Sequence, residues 1–203
     1  MEEMKAHWEH IYETKTPEQV SWTQSVPEIS LKFIQATGVA KDAAIIDVGG
    51  GDSRLVDFLL DLGYANLSVL DISSAAIQRA QNRLGERASQ VNWIVSDVLD
   101  FRPTTPYDVW HDRAAFHFQV NPDEIESYLQ LVQQGVAGHL IVGTFSTEGP
   151  LKCSGLPIHQ YSESDMKALF LRYGFSNTTC ERENHLTPSG AVQNFVFCGF
   201  ITE

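Results

Sequence analysis

Short β-branched runs alternate with segments of helical spacing from residue 43 to residue 145, and this alternation constrains the fold more than any other feature. Ala43 to Val48, Leu67 to Asp71, Val91 to Ser96, Tyr107 to His111 and His139 to Phe145 each read as a buried strand. Leu55, Phe58, Leu59 and Leu62 recur at helical spacing, as do Ala76, Ile77, Ala80 and Leu84 behind Ser73, a residue suited to cap them. Asn121-Pro122-Asp123-Glu124 opens a further helix with a cap, a proline and two acids in the first turn. Ser162-Glu163-Ser164-Asp165 opens another, and two closing strands, Phe175 to Asn184 and Ala191 to Ile201, flank Thr187-Pro188-Ser189-Gly190. Strands alternating with helices predict a parallel sheet covered on both faces. The expectation is an α/β fold with a seven-stranded sheet, mostly parallel with an antiparallel last strand.

Two helices are expected ahead of the sheet. Glu2 to Tyr12 sets Trp8, Ile11 and Tyr12 on one face, and Ser25-Val26-Pro27-Glu28 reads as the capping box of a helix that stops near Gly38. No linker or repeat divides the 203 residues, so one domain is expected, with residues 1–40 as a helical lid and 41–203 as the core.

Composition narrows the partners. Twenty-six acids against 14 bases give a net charge of −12, which repels a phosphate backbone and argues against nucleic acid. The N-terminus has neither a basic nor an apolar signal region, and no apolar run approaches a membrane span, so a cytoplasmic protein without membrane association is expected, a monomer or a homodimer. Cys153, Cys180 and Cys198 are odd in number and far apart in the chain, with no C-x-x-C spacing. They are read as reduced thiols, Cys198 as a buried apolar residue, and no metal site is expected.

In parallel sheets ligands bind beyond the carboxyl ends of the strands. After the first strand stands Asp47-Val48-Gly49-Gly50-Gly51-Asp52-Ser53. Three successive glycines let a ligand approach the main chain, where one would satisfy a plain turn. A dinucleotide fingerprint starting at Gly49 wants glycine at 54, where this chain has Arg54, and no Gly-Lys-Ser/Thr follows for a triphosphate loop. Asp71 ends the second strand and is placed to accept both hydroxyls of a ribose. Asp97 follows the third and is placed to accept an exocyclic amine.

This order of motifs, Asp47-Val48-Gly49-Gly50-Gly51, then Asp71, then Asp97, resembles the class I S-adenosylmethionine-dependent methyltransferases over about residues 40–145. The resemblance implies a Rossmann-like core with S-adenosylmethionine as cofactor and S-adenosylhomocysteine as product. It implies Gly49 to Gly51 under the methionine part of the cofactor, Asp71 on the ribose and Asp97 on the adenine amine. Asp47, Trp22, Ile72, Val98 and His111 complete the expected cofactor site. This cofactor has no phosphate, so Arg54 costs nothing, and the acids Asp47 and Asp52 suit a cationic sulfonium.

The methyl acceptor is read less directly. The fourth strand leads into His111-Asp112-Arg113-Ala114, where base- and glutamine-amide-methylating members carry Asn/Asp-Pro-Pro-Tyr. The Trp-x-Asp-Arg pattern is similar to the thiopurine- and thiol-methyltransferase-like branches. His7-Trp8-Glu9, Tyr12 and Val20-Ser21-Trp22 also resemble small protein-lysine methyltransferases. A small-molecule acceptor is expected, a thiol among the candidates, with a protein lysine or a non-catalytic cofactor-binding module as alternatives. His111 and His117 are the candidate proton acceptors, and Phe116, Lys152, Cys153, His159 and Tyr161 the candidate acceptor-binding residues. Direct methyl transfer needs no covalent enzyme intermediate, so Cys153 is read as a pocket residue. Trp8 and Trp22 are read either as a lid closing over the cofactor or as packing for the N-terminal helices.

Overall fold

The computed structural model describes residues 2–202. Residues 1 and 203 lie outside the described residues. The strands are β1 (Ile45–Val48), β2 (Leu67–Asp71), β3 (Val91–Val95), β4 (Tyr107–Arg113), β5 (Val136–Phe145), β6 (Lys152–Cys153), β7 (Leu156–Pro157), β8 (Phe175–Leu186) and β9 (Val192–Thr202). The helices are α1 (Glu2–Thr14), α2 (Glu28–Ala36), α3 (Leu55–Asp61), α4 (Ser74–Leu84), α5 (Pro122–Gly135) and α6 (Glu163–Leu171). Seven strands form one sheet in the order β3-β2-β1-β4-β5-β9-β8, and β6 and β7 form a separate two-stranded ribbon. β1 to β5 pair in parallel, while β9 runs antiparallel to both β5 and β8. This is the sheet expected from the sequence.

Strand alternation sorts the core into two layers. Ile46, Val48, Trp110, Leu140 and Val142 pack against Tyr128, Leu129 and Val132 of α5 and Met166 and Phe170 of α6. Ile45, Val69, Val109 and Ile141 pack against Phe33 and Ile34 of α2, Leu55 and Leu59 of α3 and Ile77 of α4. The order reverses at β1, which has β2 on one side and β4 on the other. The crevice beyond the carboxyl end of β1 is therefore where a ligand site belongs.

Helix ends follow the expected chemistry at three places. Ser73 Oγ accepts from Ala76 N at 3.1 Å, Asn121 and Glu124 make a capping box, and Ser162 Oγ accepts from Asp165 N at 3.1 Å. The box expected at Ser25 to Glu28 does not form. Pro27 is the N-cap of α2 and makes no side-chain cap bond, so Ser25 lies before the helix.

The cysteine reading is corrected. Cys180 and Cys198 form a disulfide and only Cys153 is free. The two are 18 positions apart in the chain, but the β8–β9 register sets them directly opposite each other, with Cα atoms 4.1 Å apart. No helix among the described residues is long and apolar enough to cross a membrane.

Candidate functional site

A cavity of about 860 Å³ opens at the carboxyl ends of β1 to β4. One end is built by the loops after β1, β2 and β3. Gly49 and Gly51 have φ of +66° and +43°, conformations that side chains rarely adopt. Gly50 has no room for one: a Cβ there would lie 2.7 Å from Asp47 Oδ2 and 2.8 Å from Val69 Cγ1. Gly49 and Gly50 line the cavity, and Gly51 turns the chain behind them, against Tyr12 and Asp71.

Asp71 is buried at the end of β2, lines the cavity and accepts from Ser73 N at 2.8 Å. Burial first, then the nearby charges of Asp47 and Asp52, push its carboxyl up to about 7, against the lowering influence of hydrogen bonds from Ser73 and Gly51. Asp97 caps the turn 98–100 through Oδ1, which accepts from Leu99 N at 2.9 Å. It lines the cavity with Ile72 and Val98. The glycine loop and the two acids thus follow three consecutive strands, as the sequence implied.

The other end is bounded by the loop before α2, the end of β4, the β6–β7 ribbon and the tip of the β8–β9 hairpin. Trp8 and Trp22 line the cavity and meet edge-to-face at 5.5 Å, and Trp8 packs on Phe118 at 5.3 Å. The N-terminal aromatics are thus both packing and cavity wall. Cys153 faces the cavity as a thiol pushed up to about 12 by burial, so it holds its proton at neutral pH.

The two histidines read as bases are corrected. β4 runs two residues beyond its expected end, to Arg113, so His111 lies inside the strand and not at its end. Its ring borders the cavity, but both nitrogens are engaged: Nδ1 with Asp47 Oδ1 at 2.7 Å and Nε2 with Ser30 Oγ at 2.9 Å. That chain ties α2 to the residue under the glycine loop and leaves no nitrogen for a substrate. His117 is fully buried outside the cavity lining, and burial and the Arg113 charge push it down to about 3.

Four of the expected acceptor-binding residues lie elsewhere. Phe116 is core, stacked on Tyr161 at 5.2 Å and against Tyr128 at 4.6 Å. Tyr161 is buried by that packing, which raises its hydroxyl pKa. His159 lies beside Tyr161 at 4.5 Å, and Lys152 is exposed on β6; neither lines the cavity. Of the long segment 148–161, only Cys153 lines the cavity.

Glu183 of β8 and Glu9 of α1 are not expected from the sequence. Glu183 lines the cavity with Arg113 and His185. Glu9 of α1 accepts from the backbone N–H groups of Ser74 at 2.8 Å and Ala75 at 2.9 Å, and from the hydroxyls of Ser73 and Ser74. It clamps α1 to the α4 N-terminus beside Asp71. Partner hydrogen bonds hold its carboxyl down to about 2, against burial, which alone would raise it. Nothing in the sequence around Glu9 announces contacts 65 residues away. Replacing Glu9 with glutamine, which cannot serve as a charged cap, is expected to cost about 0.5–2 kcal/mol. The folded carboxyl is depressed, so this contribution is present above the unfolded pKa and lost as pH falls toward about 2. Urea unfolding of both proteins at pH 7 and at pH 3 checks this; a difference that does not shrink at the lower pH would contradict it.

Residues 45–137 match a family described as a methyltransferase domain. The chain is 31% identical over 101 residues to EEF1A lysine methyltransferase 2 of Danio rerio, covering 47% of this chain and 42% of that protein. It is 27% identical over 143 residues to the Mus musculus protein of the same name, covering 63% of this chain and 57% of that one. The chain thus spans about half the length of these curated relatives. Among solved structures, 1,6-didemethyltoxoflavin-N1-methyltransferase of Burkholderia thailandensis, bound to 1,6-didemethyltoxoflavin and S-adenosylhomocysteine, superposes with a TM-score of 0.74 at 15% identity, covering 98% of this chain and 87% of that one. Magnesium protoporphyrin IX methyltransferase of Synechocystis, bound to S-adenosylmethionine, superposes at 0.70 and 16% identity, covering 98% and 90%.

Proposed function

We propose that this S-adenosylmethionine-dependent methyltransferase passes the sulfonium methyl group to a small-molecule acceptor, through sulfur or nitrogen. The observation that carries the reading is that one cavity has both parts: its cofactor end presents Gly49, Gly50, Asp71 and Asp97, and its other end is walled by Trp8, Trp22 and Cys153.

The residues fit the cofactor. Buried Asp71, aimed into the cavity, is an acceptor for the ribose hydroxyls, and Asp97 keeps carboxylate capacity beyond its cap bond for the adenine amine. The backbone at Gly50, where no Cβ fits, is the cradle for the methionine part. When bound, S-adenosylmethionine supplies a methyl carbon on a cationic sulfur, open to in-line displacement. The chain's share is to orient and to exclude water. Orientation of this kind supplies about 7–11 kcal/mol of the barrier, and Trp8, Trp22 and Phe118 form an aromatic wall of the site.

No imidazole among His111 and His117 offers a free nitrogen to the cavity. That favours acceptors nucleophilic without strong base assistance, a thiol or an amine, over a neutral hydroxyl. A second reading, a protein-lysine acceptor, is favoured by the two curated relatives. A net charge of −12 is compatible with a basic target.

Calorimetric titration with S-adenosylmethionine, with NAD in parallel, tests the cofactor. Micromolar binding of the first alone is expected. Release of S-adenosylhomocysteine is then followed over a panel of small thiols and amines and over lysine-rich proteins. Turnover of small acceptors supports the main reading, and turnover of proteins alone replaces it with the second. Binding of NAD alone would overturn both.

A further inference from the structure

We propose that Arg113 and Glu183 form a dipolar acceptor subsite that takes an aminocarboxylate, its carboxylate on Arg113 and its amine on Glu183. The inference rests on the methyl-transfer reading and names the substrate class for the same cavity.

Arg113 ends β4 and points to the α2 side of the sheet, as alternation from Val109 and His111 requires. Its guanidinium lies 4.8 Å over the ring of buried Phe195 and donates from Nη1 to Trp22 O at 3.1 Å. Nε and Nη2 are out of solvent and have no partner. A guanidinium has five donors in a planar fork matched to a carboxylate. Leaving most of them buried and unused is costly.

Glu183 carries the complementary vacancy. The β8–β9 register sets it opposite Phe195, the residue beneath Arg113. Its Oε1 accepts from Gln24 Nε2 at 3.2 Å, while Oε2 is out of solvent without a partner. Burial raises its carboxyl, and the Arg113 charge opposes that rise. Neither group satisfies the other by a hydrogen bond. Thr23 Oγ1, from the loop that carries Trp22, is unpartnered and lines the cavity with them.

A lone cation in this wall would suit any anion, and a lone acid any cation. The two together, each with an unused buried atom and both placed at Phe195, suit a molecule carrying both charges. Such a ligand satisfies three orphaned atoms at once. A ligand with one charge leaves the opposite charge buried and unpaired, which is the basis of strong discrimination by polar sites.

The test uses the 203-residue chain saturated with S-adenosylhomocysteine and three probes of one shape: phenylalanine, 3-phenylpropionate without the amine, and phenylalaninamide without the carboxylate. Phenylalanine is expected to bind at least about tenfold more tightly than either analogue. Arg113→Met should erase its margin over phenylalaninamide, Glu183→Gln its margin over 3-phenylpropionate, and Arg113→Lys should keep part of the first. S-Adenosylhomocysteine binding by each variant, measured in the same titration, reports that the fold is intact.

Equal affinity for the three probes, no binding of any of them, or the same preferences in the variants overturns the proposal. Loss of S-adenosylhomocysteine binding in Arg113→Met with an unchanged melting temperature also overturns it, because the carboxylate on Arg113 is then the cofactor's own. Failure of the wild-type protein to bind S-adenosylhomocysteine sinks the methyl-transfer reading itself, a result distinguishable from all of these.

Discussion

Replacing Asp71 with alanine is expected to weaken S-adenosylmethionine binding by about a hundredfold or more. Two hydrogen bonds from ribose hydroxyls to a carboxylate are each worth about 1.5–3 kcal/mol, and about 2.7 kcal/mol is a hundredfold in affinity. Nothing nearby replaces them: Asp47 is engaged by His111, and Asp97 sits after the next strand. The variant's melting temperature, read beside its titration, separates lost affinity from lost fold. An affinity within threefold of wild type, taken roughly as the noise of such a comparison, would remove the ribose assignment.

The same carboxylate makes binding depend on pH. Burial holds Asp71 up at about 7 in the free protein. A diol donates best to the ionised form, which the free protein loses as pH falls through that value. Affinity should therefore plateau above about pH 7.5 and decline below it, by up to about tenfold per unit for one competing proton. The opposite sign applies to the fold. A carboxyl raised in the folded state contributes stability that is full below its unfolded pKa and lost as pH rises through about 7. The cofactor-free protein should thus be less stable at pH 8 than at pH 5 through this group, and cofactor binding should narrow the gap. Asp71→Asn, which cannot ionise, should flatten both profiles.

What the sequence made legible is local. Asp71, Asp97 and the glycine loop are found because a strand's end and the residues after it are contiguous in the chain, and the topology puts all such ends on one edge. Ser73 and Ser162 announce their helices because a cap acts over three residues. What stayed hidden is made by pairs distant in sequence. Cys180 meets Cys198 only once the β8–β9 register is fixed, since a slip of one residue moves the side chain to the other face. Arg113, Gln24 and Glu183 come from three segments, and Glu9 caps a helix that starts 65 positions later. The end of β4 was set two residues short. Read to Arg113, the alternation in β4 puts His111 and Arg113 on one face and Trp110 and Asp112 on the other. That pattern was available in the sequence.

Asp112 is the other face of that alternation, and its loss is expected to be the most damaging single change to the fold. It is fully buried at the end of β4. Oδ1 accepts from Ala115 N at 2.9 Å and Phe116 N at 3.1 Å, and Oδ2 accepts from the Tyr128 hydroxyl at 2.6 Å. Through the first two it holds the chain as it leaves the sheet at Ala114, a non-glycine residue at φ +70°. Through the third it joins β4 to α5. Asp112→Ala orphans three buried donors, each costing about 1–3 kcal/mol, so a loss of about 3–5 kcal/mol is expected. For a chain of this size that lowers the melting temperature by roughly 10 °C or more. Asp112→Asn keeps one carbonyl oxygen for the two backbone donors, and the Tyr128 hydroxyl can turn to accept from the new amide, so it should recover most of the loss. The asparagine also has no carboxyl to titrate. Burial pushes Asp112 up to about 6, against the bond from Tyr128, so the wild type sheds stability as pH rises from about 4 through 6 while Asp112→Asn does not. The decisive comparison is calorimetric melting of the three proteins at pH 5 and pH 8. An alanine variant melting within about 2 °C of wild type, under 1 kcal/mol on this scale, would mean that the turn after β4 is held by packing and not by this carboxylate.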